Sequence, residues 1–488
     1  MKVIGYSAAF PSFEKNNFSV WDQNMKMFMD EAGGDMDAFS THIYDGINQI
    51  GQDTRRSGSN MEAVLDLIES YSFQKWGVIK PHVISEFGGI VGSSYSDISN
   101  VQSIRSQNAM LFGLFERQDV TELTIPFTTG KSTWHITAAN NYLPYKAVLY
   151  KPVPVGVPLD QVTSWEYTDR IYFYELWKNV SGNRIEVNSN NPDVQIQGFR
   201  NGNKLYVALN NLDDFDRSVS LQLQLVTEAT LNDVRIKSLT INPNEEAQFT
   251  DQTTSVLLES YQLKANETVV LEYTYNTDFN YEKTLISERH YSNESTVQPI
   301  TANSSMTYTF SNVPTSSIAS ATLRMSIGRK HDRSKSPTVL INGQALSVPT
   351  NWKGYDQANR DDFFGMIEID VPAESVQASN TVSLTFPDSD GHLSSLVLIT
   401  ENDDPTVLSL EKSALIKRAD KLLLYPNPVD DVLYLEEKYQ GKAISFFTLT
   451  GKEIFSTIYE GNAVDVTHLA SGLYLVRLEG LYAKLLIE

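Results

Sequence analysis

The sequence predicts a multidomain chain, α/β over its first third and all-β beyond. Three observations predict it. At 488 residues the chain exceeds what one hydrophobic core supports, so several cores are expected. Up to about residue 151 short apolar runs alternate with helical periodicity, the mark of βα units and a parallel sheet. From about Gly156 strands punctuated by Asn, Asp, Gly and Pro take over, and helical periodicity is not expected to return.

In the α/β part, strands are expected at 3–8, 38–44, 82–86 and 122–127. The helices between them carry apolar faces. Trp21, Met25, Phe28 and Met29 form the first, with Ser19 and Asp22 as a capping pair; Met61, Val64, Leu65 and Ile68 form the second, opened by Ser59 and Glu62. Val101, Ile104, Asn108, Leu111, Phe112 and Phe115 form the third. Beyond it, runs at 205–209, 219–226 and 269–275 suit a first β-sandwich. Runs at 306–310, 319–327, 337–341 with an Asn342-Gly343 turn, 364–371, 381–386 and 393–400 suit a second. The expected domain map is therefore 1–155, 156–277, 278–402, a linker at 403–421, and a small β module at 422–488.

Composition narrows the function. The formal net charge of −21 argues against nucleic acid, because gripping phosphate needs clustered Lys and Arg. With no cysteine, disulfides, thiolate catalysis and Cys-ligated metal are excluded. No cofactor or metal is expected. No run of about 18 apolar residues could form a transmembrane segment, and the first residues lack the apolar core of a signal peptide.

The last module resembles the C-terminal sorting domain of the type IX secretion system. The resemblance rests on Leu424-Tyr425-Pro426-Asn427-Pro428-Val429, Leu433-Tyr434-Leu435, Leu449-Thr450-Gly451-Lys452 and Leu469-Ala470-Ser471-Gly472-Leu473-Tyr474-Leu475. It implies passage through the type IX machinery to the medium or the outer-membrane surface.

The first 275 residues or so resemble glycoside hydrolase family 86, the β-agarases and β-porphyranases. Four stretches carry this: Ala8-Ala9-Phe10-Pro11-Ser12-Phe13-Glu14, Phe39-Ser40-Thr41-His42-Ile43-Tyr44-Asp45, Val83-Ile84-Ser85-Glu86-Phe87-Gly88-Gly89 and Arg170-Ile171-Tyr172-Phe173-Tyr174-Glu175-Leu176-Trp177. The resemblance implies that the four strands are the fifth to eighth of a (β/α)8 TIM barrel, followed by two β-sandwiches and the small β-sandwich sorting domain. A complete barrel has eight strands in about 250 residues.

Retaining glycosidases place two carboxyl groups roughly 5 Å apart, one as nucleophile and one as acid/base. Glu86 is the candidate nucleophile, at the C-terminal end of its strand, with Phe87-Gly88-Gly89 expected to turn the backbone sharply away. His42 and Tyr44 share one side of the preceding strand, and the resemblance implies that they hold the nucleophile or the sugar; a buried, satisfied His42 is the other reading. Asp45 reads as a cap or turn former. Trp134 would stack on a sugar ring. Lys131 and the Arg55-Arg56 pair are the cations expected nearest the cleft, where a sulfated galactan would need them, although Arg55-Arg56 also reads as a solvated loop. Glu14 reads as structural first and cleft-lining second.

The acid/base Glu of such barrels follows the fourth strand, usually after Asn, and no Asn-Glu pair precedes Glu86. The expectation is an N-terminally truncated chain without its acid/base residue, inactive alone, whose open barrel edges make the first 150 residues the least stable part. The expected whole is a secreted, endo-acting, retaining β-agarase or β-porphyranase that cleaves red-algal galactan polysaccharide. The rival readings are a non-catalytic cell-surface glycan-binding protein and a barrel glycosidase of another clan, a cellulase or mannanase.

Overall fold

The computed structural model describes residues 2–9, 11–45, 55–90, 95–223, 229–241, 247–279, 285–358, 360–403, 422, 424–448, 452–461, 463–478 and 481–487. Phe10 of the first family motif, Leu449-Thr450-Gly451 of the sorting motif and nearly all of the expected linker lie outside them. The chain divides into two compact units, Met1–Pro405 and Thr406–Glu488.

The first unit begins with a four-stranded parallel sheet in the order β1 (Ile4–Ala9), β2 (Ala38–Asp45), β3 (His82–Gly89), β4 (Thr121–Pro126). Alternation along β2 sends Ser40, His42 and Tyr44 to one face and Phe39, Thr41 and Ile43 to the other. The second face is the dry one: Ile43 packs with Ile84, Phe87, Met61, Leu65, Met110 and Leu114. β3 runs on to Gly89 instead of turning away after Glu86. Gly88, at φ +140°, permits this, because a Cβ there would lie 2.8 Å from Cγ of Gln107.

Three helical segments cover the dry face. α1 is a continuous run of Ser19–Trp21, Asp22–Lys26 and Met27–Glu31, α2 is Ser59–Trp76 and α3 is Asp97–Phe115. The expected capping pairs do not form. Gly58 and Phe18 occupy the N-cap positions of α2 and α1, with no side-chain cap at either, and Ser59 and Ser19 are already helical. Ser59 Oγ instead lies 3.5 Å from Nε2 of Gln357.

Glu62 is taken up by a buried ionic cluster. Glu62, Asp66 and Glu69 share one stripe of α2 at spacings of four and three, and all three are buried. Arg117 bonds Glu62 at 2.8 Å, Asp66 at 2.6 Å and Glu69 at 2.6 Å; Arg324, from a strand of the second sandwich, bonds Glu62 at 2.6 Å and Asp66 at 3.0 Å. His82 on β3 and the Tyr291 hydroxyl complete the shell of Glu69 at 2.9 and 2.6 Å. The cations hold the Glu62 carboxyl down at about 2 despite its burial, and Glu69 well below the usual range.

Next comes a six-stranded sheet ordered Ala247–Thr254, Leu231–Ile241, Thr268–Tyr275, Lys204–Asn211, Val194–Asn201, Asn183–Ile185, with a separate pair Arg217–Ser220 and Ser260–Leu263. One face rests on α3: Val101, Ile104 and Phe112 pack with Phe199, Tyr206, Leu239 and Val270. Gln195 and Gln197 donate to the α3 carbonyls of Ala109 and Phe112 at 3.0 and 3.1 Å. A short helix, Ile171–Trp177, shares this face, which corrects the expectation that helix ends before 156. Its Phe173 and Leu176, three apart, are the buried pair.

The second sandwich matches its expected strands closely. A sheet built on Ile318–Arg329, Phe363–Val371 and His392–Asn402 faces one built on Ser305–Ser311, Ser379–Thr385 and Thr338–Ile341, around Leu323, Met325, Phe310, Ile341, Phe363 and Leu398. Asn342 and Gly343 both have positive φ (50° and 85°), as a two-residue hairpin turn requires, and join Thr338–Ile341 to Gln344–Leu346. Phe18, Trp21 and Met25 share a core with Phe364 and Met366, so the N-terminal third is packed directly on this domain.

The second unit is a small β module. Its four-stranded sheet is ordered Glu453–Tyr459, Lys442–Phe447, Gly472–Leu478, Leu481–Ile487. Its core, including Leu433, Ile444, Phe446, Val466, Val476 and Leu485, comes entirely from within the module.

Candidate active site

The site forms at the C-terminal ends of β2 and β3, on the polar face of the parallel sheet. A β-bulge sets it up: the register passes from Thr41 opposite Ile84 to His42 opposite Glu86, skipping Ser85. Glu86 is thereby set beside His42 and Tyr44. The Tyr44 hydroxyl donates to Oε2 of Glu86, and Nδ1 of His42 lies 3.2 Å from the same oxygen. Among the described contacts Oε1 carries no partner.

One tier lower, hydroxyls cross the sheet. Ser40 Oγ lies 2.6 Å from Ser85 Oγ and 3.2 Å from Ser7 Oγ, a polar row under the His42–Glu86 pair. The Glu86 side chain is 31% exposed. Burial raises its carboxyl above the ordinary value, and His42 opposes that rise.

Rings continue outward from Tyr44. Phe127 stands edge-on 5.4 Å from it, Tyr145 lies 5.8 Å from Phe127, and Trp134 lies 5.2 Å from Tyr145. Trp134 is 66% exposed, the most open large apolar side chain described. Burial, and then the charge of Glu86, raise the Tyr145 phenol, which places that hydroxyl in the field of the carboxylate. Tyr145 was not among the expected site residues. It sits in an irregular segment whose lack of period gives no signal.

The expected cations part company. Lys131 is exposed, its ammonium 4.7 Å from the centroid of the Trp165 ring. Arg55 is buried, 3.2 Å from Oδ1 of Asp214 and 5.8 Å from the Tyr355 ring centroid; it is turned into the protein, neither displayed in the cleft nor on a solvated loop. Arg56 is buried too, bonding the Pro11 carbonyl, Asn60 and Ser12. Asp45 accepts from the Arg56 and Ser57 backbone amides at 2.6 and 2.9 Å, which ties the end of β2 to the entry of α2. Glu14 is buried and ion-paired with Arg360.

Comparison with known proteins matches three stretches of the chain. The family model of the porphyranase β-sandwich domain 1 matches residues 193–296, and that of the β-porphyranase A C-terminal domain matches 307–400. The family model of the secretion system C-terminal sorting domain matches 423–485, which marks the chain for secretion or display at the cell surface. No described helix is long and apolar enough to cross a membrane. β-Porphyranase A of Phocaeicola plebeius is 47% identical over 406 residues, covering 82% of this chain and 55% of the relative. The funoran endo-β-hydrolase of Wenyingzhuangia aestuarii is 34% identical over 490 residues, covering 98% of this chain and 66% of the relative. The chain thus spans between about half and two thirds of these curated relatives. The solved structure of a family 86 β-porphyranase from the human gut bacterium Bacteroides plebeius aligns with a TM-score of 0.77 at 46% identity, over 82% of this chain and 70% of that one. On this match in sequence and structure, the chain belongs to glycoside hydrolase family 86.

Proposed function

We propose that this chain carries the nucleophile side of a secreted, endo-acting, retaining glycoside hydrolase of red-algal galactans, a β-agarase or β-porphyranase. The observation that carries the reading is the carboxylate of Glu86, held on one oxygen by Tyr44 and His42 at the end of a parallel strand, with a ring surface leading away from it. In the reaction Oε1 of Glu86 attacks the anomeric carbon as the glycosidic C–O bond breaks and the leaving sugar oxygen takes a proton from the acid/base; water, deprotonated by that same group, then cleaves the glycosyl ester and restores the carboxylate. Tyr44 and His42 orient the carboxylate and hold its charge, and Trp134 supports the sugar face. In this reading the acid/base is a Glu that follows the fourth barrel strand and faces Glu86 across the scissile bond at roughly 5 Å.

We read the parallel sheet as the last four strands of a (β/α)8 barrel, with divisions at 155, 277, 402 and 421. Support comes from its polar face. By register Ile4, Leu123 and Ile125 lie on the same side as Ser40 and His42, and they are 45%, 49% and 37% exposed at the two sheet edges. Exposed apolar side chains at both edges of one sheet face are what further barrel strands would cover.

The test joins the chain to the preceding barrel strands of a family 86 relative and assays release of reducing ends from agarose and porphyran. Hydrolysis that Glu86→Gln lowers at least about a thousandfold is expected, because the amide cannot form the ester. Activity within a factor of about ten of the parent would overturn the nucleophile. Binding without release by the parent would favour a glycan-binding protein.

A further inference from the structure

Three cations were expected near the cleft, and burial separates them. Arg55 is neutralised by Asp214, and Arg56 is consumed by internal hydrogen bonds. Lys131 is displayed, and among the described residues no carboxylate pairs with it. This is notable in a chain of net charge −21, which repels a polyanion wherever no local cation offsets it. A neutral galactan needs no such cation. A sulfated one does.

The position of Lys131 is also defined. Its ammonium lies over the Trp165 ring, a geometry in which the negative face of the indole holds the cation. Trp165 is itself fixed from behind. It lies on Ser164–Tyr167, paired antiparallel with Tyr150–Val153, and on the opposite face of this ribbon Lys151 lies 3.5 Å from Glu166 and 3.4 Å from Asp97 at the start of α3. Three residues along the chain from Lys131, exposed Trp134 adjoins Tyr145, which feels the charge of Glu86. A stacking ring that leads through Tyr145 toward Glu86, and a positive charge held over Trp165 with no carboxylate partner among the described residues, therefore stand three residues apart on one short segment.

We propose that Lys131 is the residue that selects a sulfated galactan, its ammonium meeting a sulfate ester on the sugar carried by Trp134, with Trp165 as a positioning residue beneath it. The proposal rests on the galactan reading above. It turns the choice between agarose and porphyran into the property of one side chain. The contact is a point charge to an oxyanion, so it is sensitive to salt.

The test is calorimetric titration of the 488-residue chain with two probes of equal length, sulfated oligosaccharides from porphyran and neutral neoagaro-oligosaccharides. Lys131→Met should weaken the sulfated probe about tenfold or more and leave the neutral one within about twofold. Raising salt from about 50 to 500 mM should do the same to the parent chain. Trp165→Ala should lower the sulfated-to-neutral preference and Trp165→Phe restore most of it, which a merely structural role would not produce. If the parent binds both probes and Lys131→Met changes neither, or changes both equally, this proposal falls and the galactan reading stands. If the parent binds neither probe, both fall.

Discussion

Arg324, on the second sandwich, and Asp66, on α2, are 258 residues apart in sequence and form a buried ion pair, Nε to Oδ2 at 3.0 Å. Arg324→Met would leave Arg117 as the cation bonded to Glu62 and Asp66 among the described residues, and Arg117 is also shared with Glu69. Breaking one partner of a buried cluster costs about 3–5 kcal/mol, because a charge is left out of water without its counter-ion. Chemical denaturation should show a loss of that order, and a change below about 1 kcal/mol would mean that the cluster is not holding the two parts together.

Acid should release the same contact. The Glu62 carboxyl is held at about 2 in the folded chain, against about 4.3 when unfolded. A depressed carboxylate stabilises fully above its unfolded value and stops doing so as pH falls through its folded one. Thermal unfolding followed by circular dichroism should therefore change little from pH 7 to about 5 and fall steeply between about 4 and 2. A flat profile down to about 2 would contradict the ionic account.

Tyr44→Phe removes the hydroxyl that donates to Oε2 of Glu86. The carboxyl, already raised by burial, should rise further, since a donor to the charged form has been lost. Carbon-13 titration of the glutamate carboxyls, with Glu86→Gln to assign the signal, would read this directly. A fall or no change would show that Tyr44 does not support the carboxylate.

Limited proteolysis should not strip the N-terminal third first. The sequence alone suggests that open barrel edges make this part weakest, yet Phe18, Trp21 and Met25 share a core with Phe364 and Met366, and Arg324 reaches into α2. The first unit should survive as one body. Early loss of the first 150 residues would restore the expectation from sequence.

Truncation after Pro405 should leave the unfolding of the first unit unchanged, because the second unit builds its core from its own residues. In a host with the type IX system the same truncation should stop export. Equal secretion with and without the module would count against its role.

The parts legible in the sequence are those where local pattern and tertiary structure agree. β1 to β4 follow their apolar runs, and the Asn342-Gly343 turn needs positive φ at both positions, which these residues tolerate. Glu86 with His42 and Tyr44 was reached through period two and a family motif. The parts that were not legible depend on partners far away in sequence. Glu62, Asp66 and Glu69 on one helix stripe look like a solvated face until Arg324 is brought to them. Arg55 looks like a free cation until Asp214, 159 residues on, is placed beside it. The helix Ile171–Trp177 is rich in aromatic residues that favour strands, and the contact with α3 and the six-stranded sheet overrides that preference.

The use of α3 as the cover of the six-stranded sheet bears on how such a protein can be inherited. Val101, Ile104 and Phe112 belong to the βα part, yet they are built into the neighbouring domain's core, and Gln195 and Gln197 bond to that helix. A recombination joint near residue 155 would hand the sheet to a new neighbour with an uncovered oily face and two orphaned amides. Gene shuffling can exchange the sorting module freely, whereas the βα part and its first sandwich must descend together.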